Sequence, residues 1–126
     1  MGVHGFDHVN IDTYDLDATL AFYAGVLGLE HRPKPSGNPG AWLYLGDRAI
    51  VHINVIADDR SAQPTGSFNH VAFVASDVEA LVAALAAGGH PNAVSPRPDL
   101  GITQVFTTDP NGVAVELNVP MDEPER

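Results

Sequence analysis

The sequence contains no cysteine among its 126 residues. This absence excludes disulfide bonds, thiolate metal ligands and a cysteine nucleophile, and it agrees with a cytoplasmic location. The N-terminus shows no charged-then-apolar leader, and no apolar run approaches the ~20 residues that a transmembrane helix needs. We therefore expect a cytoplasmic protein that does not span a membrane.

Basic residues are also scarce, because six Lys and Arg stand against 16 Asp and Glu. The resulting net charge of −10 opposes association with the phosphates of nucleic acids and with anionic lipid headgroups. The sequence therefore predicts neither a nucleic acid nor a membrane surface as a partner.

The length fits one domain of ordinary size, residues 1–126. A chain of this length buries roughly two-thirds of its unfolded surface, which is enough for a real core. The apolar fraction of 44% is typical of a soluble globular protein.

A ten-residue segment occurs twice in the chain. It reads FDHVNIDTYD from Phe6 and FNHVAFVASD from Phe68, so that His8 corresponds to His70. Each copy is an alternating strand that ends at an Asp ahead of an Ala/Leu-rich run, a pattern typical of a strand followed by an N-capped helix. A repeat of this length indicates two copies of one supersecondary unit. The histidine at the same place in both copies is the first hint of a shared site.

Each copy opens a predicted module of strand, helix and three strands, which gives an α+β class. Module one, about residues 3–57, has a strand at 3–12, a helix at 16–27, an edge strand at 29–35 and strands at 41–45 and 49–56. A polar linker at about 58–66 leads to module two. Module two, about residues 67–119, has a strand at 67–75, a helix at 77–87, a short strand at 92–96 and strands at 102–107 and 113–119. Residues 120–126 form an acidic tail.

Alternation along the last predicted strand of each module separates an apolar face from a polar one. The polar face carries Glu116 and Asn118 in module two, and His52 and Asn54 in module one. A glutamate inside an apolar strand is unusual, because Glu is disfavoured in strands and rarely buried unpaired. Once the longer hairpin of module two is allowed for, His52 corresponds to Glu116 and Asn54 to Asn118.

Four potential metal ligands therefore occupy pseudo-equivalent positions on the same kind of face: His8, His52, His70 and Glu116. If the two sheets curve towards each other, these side chains converge. Imidazole and carboxylate together suit Zn, Fe, Mn, Co or Ni rather than Ca or Mg. The alternative is four separate strand residues with local partners, and the recurrence of the positions favours the metal site.

Further candidates surround this predicted site. Asn10, Asn54 and Asn118 are expected to support the ligands or to bind substrate, because inward amides beside a metal need partners. Four residues at matching places in the two modules are candidates for lining the cup, although they could equally belong to the core: Trp42, Tyr44, Gln104 and Phe106. His4, His31 and His90 are interpreted as surface or loop residues.

The segments FDHVNI, FYAGVLGLE, FNHVAFVASD and TTDPNGVAVELNV together resemble the vicinal oxygen chelate superfamily. This superfamily includes glyoxalase I, methylmalonyl-CoA epimerase, extradiol dioxygenases, fosfomycin-resistance proteins and bleomycin-binding proteins. The resemblance covers about residues 5–120. It implies two tandem βαβββ modules that form a curved mixed sheet cupping the site, with one divalent metal ion at the positions matching the four ligands named above. It also implies a small-molecule substrate and a homodimer in which each site combines module one of one chain with module two of the other.

The resemblance leaves the reaction open. A lyase, isomerase or epimerase would chelate two substrate oxygens at the ion, stabilise an enolate-type intermediate and use Glu116 as the base. His52 favours this hypothesis, because the matching position is not a ligand in the dioxygenases and fosfomycin enzymes. The alternatives are a small-molecule binding protein of the antibiotic-resistance kind and an Fe(II) extradiol-type dioxygenase. No arginines recognisable as glutathione-binding are present.

Overall fold

The computed structural model describes residues 1–35, 37 and 39–121, so residues 122–126 of the predicted acidic tail lie outside it. The chain divides into two compact units, Met1–Arg60 and Ser61–Arg126. Each unit contains one four-stranded mixed sheet and few helices, which confirms the predicted α+β class. No helix in the part of the chain that the structure describes is long and apolar enough to cross a membrane.

Unit 1 has the predicted order of strand, helix and three strands. Its elements are β1 (Val9–Thr13), α1 (Leu16–Leu20), a π-helical segment (Ala21–Val26), β2 (Glu30–Arg32), β3 (Gly40–Leu45) and β4 (Arg48–Val55). The sheet order is β1-β4-β3-β2. Strands β1 and β4 pair in parallel, and the other neighbours are antiparallel.

Unit 2 repeats this arrangement. Its elements are β5 (Val71–Val74), α2 (Val78–Ala87), β6 (Ala93–Arg97), a 3₁₀ turn (Pro98–Leu100), β7 (Ile102–Thr108) and β8 (Ala114–Pro120). The sheet order β5-β8-β7-β6 has the same pairing directions as that of unit 1. The tandem βαβββ prediction is therefore confirmed.

The first strand of each unit starts later than predicted. Strand β1 begins at Val9 rather than at residue 3, and β5 begins at Val71 rather than at residue 67. The pairing with the last strand begins at the same residues, and a strand requires a partner to satisfy its backbone groups. His8 and His70 are therefore each the residue immediately before a strand.

Both predicted helix starts are confirmed, but the first helix has a different form. The Asp15 side chain accepts a hydrogen bond from the Ala18 amide, and Asp77 accepts one from Ala80. Beyond Leu20 the first helix widens into the π-helical segment, in which the Leu27 amide donates to the carbonyl five residues earlier. The predicted helix at 16–27 is therefore present through Val26, with π-helical rather than α-helical hydrogen bonding after Leu20.

The alternation predicted along the strands separates a buried face from a polar face. The buried faces of β4 and β8 carry Val51, Ile53, Val115, Leu117 and Val119. The opposite faces, which we call the polar faces, carry half-buried side chains: His52, Asn54, Glu116 and Asn118. Each unit thus presents one polar face whose positions are fixed by a packed apolar face behind it.

The turn between β7 and β8 depends on one buried carboxylate. Asp109 is only 4% exposed, and its Oδ1 accepts hydrogen bonds from the amides of Asn111 at 2.8 Å and Val113 at 2.9 Å. Replacement Asp109→Ala removes the acceptor for both amides, so we expect the free energy of unfolding to fall by about 1–3 kcal/mol. Asp109→Asn retains an oxygen acceptor and should cost less. Denaturant unfolding measures both variants, and equal losses would contradict this role.

Candidate functional site

Three aromatic rings stack on the polar face of unit 1. Trp42 on β3 is the register partner of His52 on β4, and their ring centroids lie 4.1 Å apart at an interplanar angle of 14°. The His8 ring stacks on the other side of His52 at 3.6 Å and 11°. We call His8, His52 and Trp42 the ring stack. It brings two of the predicted ligands into contact and holds His52 between two other rings.

Parallel stacking limits how the two histidines could share an ion. The lone pair of an imidazole nitrogen lies in the ring plane, so nearly parallel rings direct their lone pairs along parallel planes rather than at one point. Joint coordination by His8 and His52 therefore requires one ring to turn. His8 is at the end of the ring stack and its side chain is 36% exposed, whereas His52 has a ring on each side.

Electrostatics favour a neutral His52. Burial lowers the pKa of His52, and the neighbouring His8 acts in the same direction. A neutral imidazole keeps a nitrogen lone pair that can bind a metal ion or accept a proton. The pKa of the neighbouring Asp7 carboxyl is lowered by its hydrogen bond with His8.

Unit 2 brings its two predicted ligands together. The Nε2 atom of His70 lies 3.5 Å from Oε1 of Glu116, whose side chain is 14% exposed. The second carboxylate oxygen, Oε2, accepts hydrogen bonds from the side-chain amides of Gln104 at 3.2 Å and Asn118 at 2.9 Å. Glu116 therefore presents Oε1 towards His70 while its other oxygen is held by two neutral donors.

The two repeat histidines have matching neighbours that orient their rings. Nδ1 of His8 lies 2.7 Å from Oδ1 of Asp7, and Nδ1 of His70 lies 2.8 Å from Oδ1 of Asn69. A carbonyl oxygen can only accept, so the His70 hydrogen bond places the proton on Nδ1 and leaves the Nε2 lone pair free. Metal-binding histidines commonly have this arrangement. Asp7 and Asn69 were not among the residues predicted from the sequence, although the repeat aligns them ahead of each histidine.

A chain of side-chain hydrogen bonds crosses the polar face of unit 1. Lys34 Nζ donates to Asn54 Oδ1 at 2.9 Å, Asn54 Nδ2 donates to Asn10 Oδ1 at 3.1 Å, and Asn10 Nδ2 donates to Asp12 Oδ1 at 3.3 Å. The structure thus joins Asn10 with Asn54 and adds Lys34, which was not among the residues predicted from the sequence. No local pattern in the sequence marks Lys34, because its partner is 20 residues away.

The remaining candidate residues contact different neighbours. Tyr44 lies under the guanidinium of Arg32, whose Cζ is 4.2 Å from the ring centroid, and Arg32 also pairs with Glu30. Phe106 is the cross-strand partner of Glu116 and is partly exposed. Trp42 and Gln104 contact predicted ligands, whereas Tyr44 makes its cation–π contact with Arg32 instead.

The donor chemistry fits a divalent transition-metal ion. Imidazole nitrogens and a carboxylate oxygen are ligands that Zn, Mn, Fe, Co and Ni accept. Within residues 1–35, 37 and 39–121, neither unit gathers three or more His, Asp or Glu side chains into a metal cluster. Two of the predicted ligands, His8 and His52, belong to unit 1, and the other two belong to unit 2. Beside Glu116, the buried Oδ1 of Asn118 has no hydrogen-bond partner within these same ranges. The assignment of His8, His52, His70 and Glu116 as a single ligand set stays a prediction.

Solved structures share this fold. A putative glyoxalase family protein from Bacillus anthracis is 24% identical with a TM-score of 0.72, and the match covers 95% of this chain and 98% of that one. A glyoxalase/dioxygenase from Nostoc punctiforme is 20% identical with a TM-score of 0.75, over 96% and 92% of the two chains.

A third similar structure contains a metal ion. It is a variant of the genomically encoded fosfomycin resistance protein FosX from Listeria monocytogenes, complexed with Mn(II) and 1S,2S-dihydroxypropylphosphonic acid. It is 21% identical with a TM-score of 0.74, and the match covers 93% of this chain and 90% of that one. At these identities the likeness concerns the fold.

Comparison with curated proteins finds no match. The model of one protein family, by contrast, matches residues 5–117, which is most of the chain. The matched residues extend over both βαβββ modules, as far as Leu117 in β8. The chain therefore belongs to the Glyoxalase/Bleomycin resistance protein/Dioxygenase superfamily, in agreement with the resemblance of its sequence motifs.

Proposed function

We propose that this protein is a metal-dependent enzyme of the lyase, isomerase or epimerase class that acts on a small molecule. The observation that carries the proposal is the His70–Glu116 pair, in which Nε2 of an oriented imidazole lies 3.5 Å from Oε1 of a carboxylate whose Oε2 accepts two hydrogen bonds. The superfamily includes metal-dependent members, and the similar FosX structure contains Mn(II). We propose the cytoplasm as its location, since a chain without cysteine forms no disulfide.

The proposed ligands are His8, His52, His70 and Glu116, and joint coordination by the two stacked histidines would require one of their rings to turn. A bound divalent ion would supply Lewis acidity towards substrate oxygens. The residues of the chain supply the rest of the chemistry. Asp7 and Asn69 accept hydrogen bonds from Nδ1 of the two repeat histidines, so that the neutral form of each ring has its lone pair on Nε2. Glu116 is the carboxylate available to take a proton from a carbon acid.

Gln104 and Asn118 orient the proposed base. Both donate to Oε2 of Glu116, so Oε1 is the oxygen left for a ligand or a proton. Because the donors are neutral amides, they hold the carboxylate without neutralising its charge. We propose Trp42 and Phe106 as apolar walls beside the two pairs.

We propose that a complete site needs both modules and forms in a homodimer. Each unit supplies one pair of ligands, His8 with His52 and His70 with Glu116. Two donors are fewer than a stable site for one of these metals uses. Pairing module one of one chain with module two of its partner would complete two equivalent sites.

The ring stack favours a second candidate function. If His52 stays between Trp42 and His8, three ligands remain, which is the number found in two-histidine, one-carboxylate sites. Such a site has room for substrate and a further ligand, as in an Fe(II) dioxygenase or a fosfomycin-type resistance enzyme. A small-molecule binding protein is the alternative outside the enzyme classes.

Elemental analysis of protein purified without a histidine tag tests the proposal. We expect about one equivalent of a divalent transition metal in the wild type and loss of that metal in His70→Ala. His31→Ala is the matched control, because His31 is exposed on β2 and outside the proposed ligands, and it should retain the metal. A wild-type protein that holds no metal and binds none of Mn, Fe, Co, Ni or Zn would overturn the proposal of a metal-dependent enzyme. The small-molecule binding protein would then be the remaining hypothesis.

A further inference from the structure

One basic side chain differs from the others in its partner. Among the five Lys and Arg residues that the structure describes, three pair with carboxylates: Arg32 with Glu30, Arg60 with Asp12 and Arg97 with Asp99. Arg48 donates to the backbone carbonyl of Phe6.

Lys34, like Arg48, forms no ion pair within the described part of the chain, and it alone among these five donates to a neutral side-chain amide, the Oδ1 atom of Asn54. The contrast is pronounced in a chain with 16 acidic residues, where a carboxylate partner is easily supplied.

The surrounding structure directs Lys34 onto the polar face. Lys34 lies between Pro33 and Pro35, and proline fixes its own φ and restricts the residue before it. A Cβ atom on Gly40 would lie 3.2 Å from Lys34 Nζ, so the absence of a side chain at Gly40 leaves room for the ammonium group. Gly40 is also the register partner of Asn54 on β4.

Lys34 reaches the face that carries the proposed ligands of unit 1. Asn54 is two residues from His52 on β4, and residues two apart on a strand share a face about 7 Å from each other. The ammonium therefore lies on the same face of the sheet as the ring stack. It has three N–H donors, of which Asn54 accepts one.

We propose that Lys34 is the recognition group for a negatively charged oxyanion on the substrate, such as a carboxylate, phosphonate or phosphate. This inference rests on the proposed function, because it names the class of substrate for the same site. A half-buried ammonium without a counter-charge carries a desolvation cost, and a bound oxyanion offsets that cost by forming charge-assisted hydrogen bonds. Asn54 orients the ammonium and leaves its charge available.

Asn54 explains why the charge stays available. An aspartate at this position would have nearly the same shape, would pair with Lys34 and would compete with any anionic ligand. Asn54→Asp and Lys34→Met should therefore weaken anion binding in similar ways. Asn54→Asp neutralises the Lys34 ammonium by forming an ion pair with it, whereas Lys34→Met removes the ammonium.

Titration of Mn(II)-loaded protein with methylphosphonate, acetate and inorganic phosphate tests the inference. We expect Lys34→Met to weaken binding of the best of these anions about 10- to 100-fold, because a hydrogen bond to a charged group contributes about 1.5–3 kcal/mol. Lys34→Arg should restore most of the affinity. Arg97→Met is the control, since Arg97 lies in unit 2 and pairs with Asp99, and its affinity should equal that of the wild type.

The outcomes separate this inference from the proposed function. Lys34→Met should retain the full metal content of the wild type, because Lys34 is not a proposed ligand. Equal anion affinity in the wild type and Lys34→Met, or no binding of any of the three anions to the wild type, would overturn the role of Lys34. A wild type without metal would overturn the proposed function, and the same titration of the metal-free protein would then decide the role of Lys34 alone.

Discussion

A mixture of His8→Ala and His70→Ala chains is expected to regain metal binding that neither variant shows alone. If each site combines module one of one chain with module two of its partner, each homodimer of a single variant has two damaged sites. The mixed dimer has one doubly damaged site and one intact site. Random pairing makes half of the dimers mixed, so about a quarter of all sites should bind metal.

Metal content after co-expression of the two variants gives the measurement. The matched control mixes His70→Ala with Glu116→Ala, which both damage module two, and every dimer in that mixture lacks an intact site. We therefore expect no recovery in the control. No recovery in the first mixture, from chains shown to form mixed dimers, would place all ligands of a site on one chain and contradict the shared site.

Gly40→Ala is expected to be the most damaging small substitution in unit 1. The φ angle of Gly40 is 155°, which L residues rarely adopt, and an added Cβ would lie 2.0 Å from the carbonyl oxygen of Ile53. That oxygen belongs to the neighbouring strand β4, so relief requires β3 and β4 to separate. We expect the free energy of unfolding to fall by about 2–5 kcal/mol from backbone strain and overpacking together.

Denaturant unfolding measures this loss, and Gly25→Ala is its control. Gly25 lies in the π-helical segment, is exposed, and has no atom of the described residues within 4 Å of an added Cβ. Alanine there should leave the free energy of unfolding unchanged or raise it by about 0.5 kcal/mol. Similar losses for both variants would show that the close approach at Gly40 does not decide stability.

The parts of the site that follow from periodicity could be predicted from the sequence. The repeat aligns His8 with His70, and strand alternation places His52 and Glu116 opposite the apolar residues of β4 and β8. The N-caps at Asp15 and Asp77 were predictable because their chemistry is local. These features depend on neighbours in sequence or on a simple period.

The features that depend on distant partners could not be predicted. The start of β1 is set by where β4 offers pairing, and no residue before Val9 signals it. The ring stack needs the register of β3 against β4, which includes an irregularity between Leu43 and Tyr44. The contact between Lys34 and Asn54 joins residues that are 20 positions apart, with strand β3 between them. Neither residue belongs to a recognisable sequence motif.

The position of Lys34 also determines how the protein should be handled in binding assays. Lys34 is the one lysine in the chain, so it offers the one ε-amine for acylation. Succinimidyl dyes, biotin esters and amine-coupled sensor chips that react with this ε-amine would attach to the polar face of unit 1. Coupling through carboxyl groups spreads attachment over 16 acidic side chains instead, and the two methods of immobilisation should give different ligand responses from the same protein.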